Sequence, residues 1–267
     1  MDDDEEENYY ENHVEVDLRD RGYLNPIRDQ EDGECCYAFA ACDAIAYLHH
    51  KKQQGQNRVI LSPQDLYNNL VFGPNENNEE GDDDDEEEEN EENNDNEDED
   101  EGHGKKINET LNWIIENGCV LEDTCPYQFG VVEPPEPLGD RQVVMRLETS
   151  KPLKRWDIED HIRRKGPVLV GVDWIDEMHY LGAEDVIYTG PVEASEFKKS
   201  EGHALLVVGF GPNYWLVRNS HGDQWANQGY AKFTREQVHG RYLIDDGWGP
   251  IGITYEDRNG VQYPPLN

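Results

Sequence analysis

Positive charge is scarce in this chain. Its 267 residues carry 23 Lys+Arg against 60 Asp+Glu, a formal net charge of −37. Like charges repel, so DNA, RNA and anionic membranes are disfavoured as partners, while basic proteins and divalent cations stay open. Long apolar runs are also missing. No stretch approaches the roughly 20 residues of a membrane-spanning helix, and Met1 is followed by acids instead of the basic stretch and apolar core of a secretory signal. Cysteines are few and oddly placed: Cys35, Cys36, Cys42, Cys119 and Cys125, five in all. An odd count with two adjacent members is no disulfide framework. That pattern, with no leader, points to a reducing compartment, cytoplasm or nucleus. A calcium loop is disfavoured, because no Asp-x-Asp-x-Asp-Gly run with a distal Glu occurs. No metal or other cofactor is expected.

Much of the acid is concentrated. From Glu76 to Glu101 nearly every residue is Glu, Asp or Asn, with no aromatic or aliphatic side chain to bury. Ordering such a segment costs chain entropy that burial cannot offset, and self-repulsion extends it. The reading is a disordered acidic insert at about 74–104, and residues 1–13 form an acidic tail of the same kind. The insert is a solvated spacer or a contact element for basic proteins. What remains, residues 14–267 around that insert, reads as one domain.

Helical signals come first. Residues 36–52 carry Phe39, Cys42, Ile45 and Ala46 at helical spacing. Ser62-Pro63-Gln64-Asp65 reads as an N-cap followed by proline at the first helical position. Asn108 is placed to cap a helix with Leu111, Ile114 and Ile115 on one side, ending at Gly118. A further short helix spans 157–165, closed by Gly166. Then the pattern changes. Residues 168–172, 204–209, 214–217 and 230–233 are β-branched or aromatic runs bounded by Gly, Pro and Asn. Helices first and strands after predict an α+β protein, with a cleft between the halves as the natural place for a site.

Cysteine attack needs a thiolate, which a helix N-terminus and a neighbouring histidine both favour. Cys36 stands where the first helix begins. A lone cysteine there is more often a small buried residue. Cys36 has company, however. Val16-Asp17-Leu18-Arg19 leads through Pro26 to Gln30, and Cys36-Tyr37-Ala38-Phe39 follows, with Gln30 and Cys36 six positions apart. Further on stand Gly202-His203-Ala204-Leu205-Leu206-Val207-Val208-Gly209 and Tyr214-Trp215-Leu216-Val217-Arg218-Asn219-Ser220-His221-Gly222, then Trp225 and Gly229-Tyr230.

This set resembles the papain and cathepsin family of cysteine proteases. The likeness extends through Leu61–Leu66, Ile114–Gly118, Pro126-Tyr127 and Gly166-Pro167-Val168, almost everything outside the acidic runs. Cys36 and His203 lie 167 positions apart. Removing an insert of about 30 residues brings that to the family's usual spacing of roughly 130–150. The resemblance implies a two-lobed fold, a helical left lobe and a β-barrel-like right lobe with the site in the cleft between. It implies Cys36 as nucleophile, His203 as base, Asn219 as the group orienting His203, and Gln30 as oxyanion donor. It also implies Gly171, Gly202, Ala204 and Trp225 as substrate contacts, and a protein or peptide as substrate of a thiol endopeptidase.

Four departures from the family pattern carry expectations. The half-cystine usually found before the nucleophile is absent from Gly33-Glu34-Cys35-Cys36. The acidic insert occupies the glycine-rich segment that binds substrate backbone. His221 stands where the family has a tryptophan shielding the Asn–His bond. An imidazole is polar and ordinarily titrates near neutrality, so the expectation is a weaker shield whose charge opposes that of His203. The fourth expectation is that no inhibitory pro-segment precedes the domain. These departures keep a second reading open: a binding or regulatory protein that retains the fold but cleaves weakly or not at all.

Overall fold

The computed structural model describes residues 15–70, 103–128 and 139–266. The acidic tail and all but the end of the acidic insert lie outside the described residues.

Strand β1 (Val16–Asp17) opens the chain, followed by helices α1 (Cys36–Lys52), α2 (Pro63–Asn69) and α3 (His103–Asn117) and strand β2 (Cys119–Val120). After these come β3 (Val143–Lys154), α4 (Ile158–Arg164), β4 (Val168–Trp174), β5 (Ile187–Tyr188), β6 (Glu201–Phe210), β7 (Tyr214–Arg218), β8 (Tyr230–Thr234) and β9 (Asp246–Thr254). The strands order as β2-β3-β9-β4-β6-β7-β8-β5, with β1 on β6. All pairings are antiparallel except β5 with β8.

Helix α1 is the centre of the molecule. Every residue from Tyr37 to His50 is buried, so its apolar surface runs all the way round instead of along one stripe. Alanines at 38, 40, 41, 44 and 46 keep it slim, and it packs against α2, α3, β4, β6 and β9. Ser62 caps α2 as expected, its hydroxyl accepting the Asp65 N–H at 3.0 Å.

Several elements differ from the sequence reading. Helix α3 begins at His103, five positions before Asn108 and within the expected insert. Its early turn lacks a cap signature, and the apolar positions that reveal a helix start only at Ile107. Strand β4 runs two residues past Val172, to Trp174. Strands β3 and β9 were not anticipated. Pro152 sits within β3, while β9 contains Gly247, Gly249, Pro250 and Gly252, residues that ordinarily mark turns. They are strand residues here because of crowding: a Cβ on Gly247 would lie 2.7 Å from the Leu169 carbonyl oxygen.

Candidate active site

Helix α1 begins with an open N-terminus. Its N-cap residue, Cys35, makes no side-chain cap bond. The Tyr127 hydroxyl donates to the Gln30 carbonyl at 2.8 Å, so the Cys35 thiol, 3.4 Å from that hydroxyl, is the donor in their contact. First-turn N–H groups of α1 are therefore left facing Cys36. Gly33 is required in this corner, because a Cβ there would fall 2.1 Å from the Tyr127 hydroxyl oxygen.

Cys36 is half-buried, and its Sγ accepts the Ala204 N–H at 3.3 Å. Ala204 follows His203 on β6, so the thiol lies against the strand that carries the histidine. Burial pushes the Cys36 thiol up, while N–H groups of Ala204, Tyr37 and Cys36 itself pull it down. Burial is the larger effect. The N–H groups of the helix N-terminus do not outweigh that burial. A thiolate here needs the positive charge of a protonated His203 beside it.

Asn219 is the hub. Its Oδ1 lies 2.8 Å from the Ser220 N–H, 2.8 Å from His203 Nε2 and 3.0 Å from His221 Nδ1. A backbone N–H can only donate, which fixes the amide with its oxygen inward. Both histidines must then donate to that oxygen. His203 is the Nε2–H tautomer, and its basic lone pair is on Nδ1. The Asn219 Nδ2 is buried without a hydrogen-bond partner, so the amide is held through its oxygen alone.

Gln30 reaches this hub through a short antiparallel pairing of residues 28–30 with 220–222. Gln30 N–H donates to the Ser220 carbonyl at 2.8 Å, Gly222 N–H to the Arg28 carbonyl at 3.1 Å, and Asp29 pairs with His221. The Gln30 side chain is also oriented. Its Oε1 accepts from the Ser220 hydroxyl at 2.6 Å, and its Nε2 donates to the Gly33 carbonyl at 2.7 Å. An amide NH2 carries two protons, so one remains beyond the Gly33 bond.

The ring packed on His203 belongs to a residue the sequence reading did not single out. Trp174, at the end of β4, lies with its ring centroid 4.4 Å from that of His203 at a 46° tilt. Val172 is directly opposite His203, and the two-residue period of a strand puts Trp174 on the same face, within diagonal reach. The signal was available, since the run beginning at Val168 continues to Trp174, but Asp173 made it look finished. His221 neither points to solvent nor titrates near neutrality. It stacks on Trp174 at 5.4 Å and 28° and meets His203 edge-on at 4.9 Å. Burial, then the neighbouring His203 and His179, pull its pKa down to about 4.

The expected substrate contacts separate into two groups. Gly171 stands opposite Ala204, and Gly202 opposite Asp173, along the β4–β6 pair. Trp225 is instead buried, its indole N–H donating to the Met178 carbonyl at 2.8 Å and its ring 5.9 Å from Trp174. It is a wall of the aromatic cluster, not an exposed contact. Among the described residues, no group of three or more His, Cys, Asp or Glu side chains could hold a metal.

The sequence pattern of the papain family cysteine proteases matches residues 13–246. The chain belongs to that family. It is 28% identical over 228 residues to cysteine proteinase A of Leishmania mexicana, covering 82% of this chain and 54% of that one. To cathepsin K of Gallus gallus it is 26% identical over 236 residues, covering 82% and 58%. The chain thus spans a little over half the length of such relatives. In three dimensions it is similar to digestive procathepsin L2 proteinase from Tenebrio molitor larval midgut, with a TM-score of 0.65 and 25% identity, covering 90% of this chain and 68% of that one. It also resembles the Carica candamarcensis cysteine protease CMS1MS2 in complex with E-64, with a TM-score of 0.62 and 20% identity, covering 90% and 98%. The two-lobed α+β papain fold is therefore that of this protein.

Proposed function

We propose that the protein is a thiol endopeptidase working through Cys36, His203, Asn219 and Gln30. The observation that carries this reading is the fixed tautomer of His203. Its Nε2–H is committed to Asn219 Oδ1, whose orientation is set by the Ser220 N–H. Nδ1 is thus the nitrogen that takes up a proton, on the strand whose next N–H touches Cys36 Sγ.

The chemistry follows from these positions. His203 Nδ1 takes the Cys36 proton, giving a thiolate–imidazolium pair. The thiolate attacks the peptide carbonyl carbon, and the carbonyl oxygen becomes an anion. Gln30 Nε2–H and the Cys36 backbone N–H stabilise that anion; donors of this kind are often the largest single contribution to rate. The imidazolium gives its proton to the departing amine as the C–N bond breaks. His203 then deprotonates a water, which attacks the thioester, and the Cys36 sulfur leaves. Gly171, Gly202 and Ala204, on paired strands beside the nucleophile, are proposed to line the substrate path. Five free cysteines favour a reducing setting, cytoplasm or nucleus.

A second reading is a fold-retaining binding or regulatory protein with little or no cleavage. What favours it is the upward push that burial exerts on Cys36. One experiment separates the two. An epoxide or vinyl-sulfone thiol probe should label the wild type and leave Cys36→Ala unlabelled, with parallel loss of peptide hydrolysis. Equal labelling of wild type and variant would sink the peptidase reading.

A further inference from the structure

Four aromatic side chains from three parts of the fold cluster beside His203: Trp174 from β4 and His221 from the segment after β7 meet its ring, while His179 from the short 3-10 turn Asp176–Tyr180 and Trp225, also after β7, pack behind them. Trp174 is the member these contacts converge on. It is 4% exposed. Its indole N–H donates to His179 Nε2 at 2.8 Å, which locks its rotamer. One neighbour is His203, and His221 and Trp225 close the other sides.

We infer that Trp174 is a positioning residue for the Cys36–His203 pair, holding water off the His203–Asn219 hydrogen bond and presenting its ring to the imidazolium. The inference rests on the reading of Cys36 and His203 as the reacting pair. Two physical effects support it. Water admitted beside Asn219 Oδ1 would compete for a carbonyl that already serves three donors, and excluding water strengthens the bond that sets the tautomer. An indole ring also attracts a cation within about 6 Å of its centroid, more strongly than phenyl or phenol. His221 cannot take this role, being polar and tied by Nδ1 to the same oxygen. The titratable neighbours are spread over several elements. Cys36 of α1 lies against Ala204, the residue after His203; His221 meets His203 edge-on, His179 lies beyond Trp174, and Asp29 flanks His221. Trp174 is covered, so it does not itself line the substrate path.

The test compares Trp174→Ala and Trp174→Phe with wild type. The readouts are the pH dependence of Cys36 alkylation by iodoacetamide, the thermal midpoint, and the exchange lifetime of the His203 Nε2–H proton by NMR. For Trp174→Ala we expect the ion pair to give way to the neutral thiol–imidazole form, so that alkylation at pH 6 falls by about tenfold, and the upper limb of the thiolate–imidazolium pair to move down by about one pH unit, as the imidazolium loses its ring contact. The Nε2–H signal should disappear into fast exchange. Trp174→Phe keeps a ring face and should stay within about threefold on the same limb. A Trp174→Ala protein with a lower thermal midpoint but unchanged limb and proton lifetime would show mere packing and overturn the inference. Should wild-type Cys36 not react above the other cysteines, the peptidase reading fails. The proton lifetime then decides the role of Trp174 by itself, an unchanged lifetime in Trp174→Ala counting against it.

Discussion

Arg218 and Asp43 form a buried ion pair that ties strand β7 to helix α1, with Arg218 Nη2 2.7 Å from Asp43 Oδ2. Arg218 immediately precedes Asn219, and Asp43 lies two turns along α1 from Cys36, so one contact joins the strand of the hub to the helix of the thiol. The guanidinium also donates to the Asn25 carbonyl at 2.9 Å, the Pro26 carbonyl at 2.8 Å and the Tyr230 hydroxyl at 2.8 Å. Arg28 approaches the other Asp43 oxygen at 3.2 Å.

Cutting the Asp43 carboxylate leaves Arg218 charged, 2% exposed and unpaired. Removing one partner of a buried pair typically costs about 3–5 kcal/mol. Asp43→Ala should therefore lose stability of that order in urea unfolding. A loss below about 1 kcal/mol would mean the pair is not the tie described here.

Cysteine reactivity should divide sharply. Cys36 alone is half-buried, and Cys35, Cys42, Cys119 and Cys125 are buried. Burial pushes all four of these upward, Cys35 to about 12. Brief iodoacetamide treatment at pH 6, followed by peptide mapping, should find Cys36 modified first. Titration of the denatured, unreduced protein should count five thiols, matching the five free cysteines. Comparable labelling of Cys125 and Cys36 would mean that Cys36 has neither the access nor the thiolate character described here.

The residues of the candidate site stood out because each carries a short local signal: a Gln six positions before a Cys, a His opening an apolar run, an Asn-Ser ending another. Helix α1 was legible to the residue for the same reason, its 17 residues showing apolar spacing from the first turn. What stayed hidden depends on contacts across the chain. Gly247 and Pro250 look like turn residues until β4 and β3 are beside them. Trp174 looks like the residue after a strand until the pleat carries it over His203. His221 looks like a neutral-range titrating group until the rings of Trp174, His179, His203 and Trp225 half-bury it. The Asp43–Arg218 pair, 175 positions apart, has no local signature at all.

Acid should weaken the fold through its interior histidines. His50 Nδ1 is 2.7 Å from the Tyr23 carbonyl and must donate, while Nε2 is 2.9 Å from the Val59 N–H and must accept. His161 is 2% exposed, with neither ring nitrogen hydrogen-bonded; the Pro250 carbonyl faces it outside hydrogen-bond geometry. Burial, then Lys151, pull His161 down to about 4. A histidine whose folded pKa lies below its unfolded value near 6.5 binds its proton first in the unfolded chain. Stability is therefore lost as pH falls from about 6.5, and the loss levels off below about 4. His161→Phe should remove its share, on the order of 3 kcal/mol at most, between pH 7 and pH 4. Thermal midpoints measured at both pH values decide it: the gap between wild type and variant must change with pH, and a constant gap would refute the assignment.

His221 supplies the last prediction, and here the structure reverses what the sequence suggests. Read alone, an imidazole in place of a shielding tryptophan invites His221→Trp as a repair that gains rate and lowers the acid limb. In the fold that space is already occupied by Trp174, stacked on His221 at 28°. An indole at 221 has to displace it, and overpacking a filled site typically costs about 1–3 kcal/mol. His221→Trp should thus lose both stability and rate. His221→Phe keeps the ring stack and removes one of three donors from Asn219 Oδ1. The share left to His203 then strengthens, so its rate should hold or rise by about two- to threefold. The acid limb between pH 5 and pH 8 should not move in His221→Phe. His221 takes up its proton only near pH 4, held down by burial and by His203 and His179, so it is uncharged across that window in both proteins. The pH profiles of peptide hydrolysis for wild type and His221→Phe are the measurement. A limb that shifts by more than about half a unit in that window would mean that His221 carries charge there, and that the half-buried, neutral donor described here is wrong.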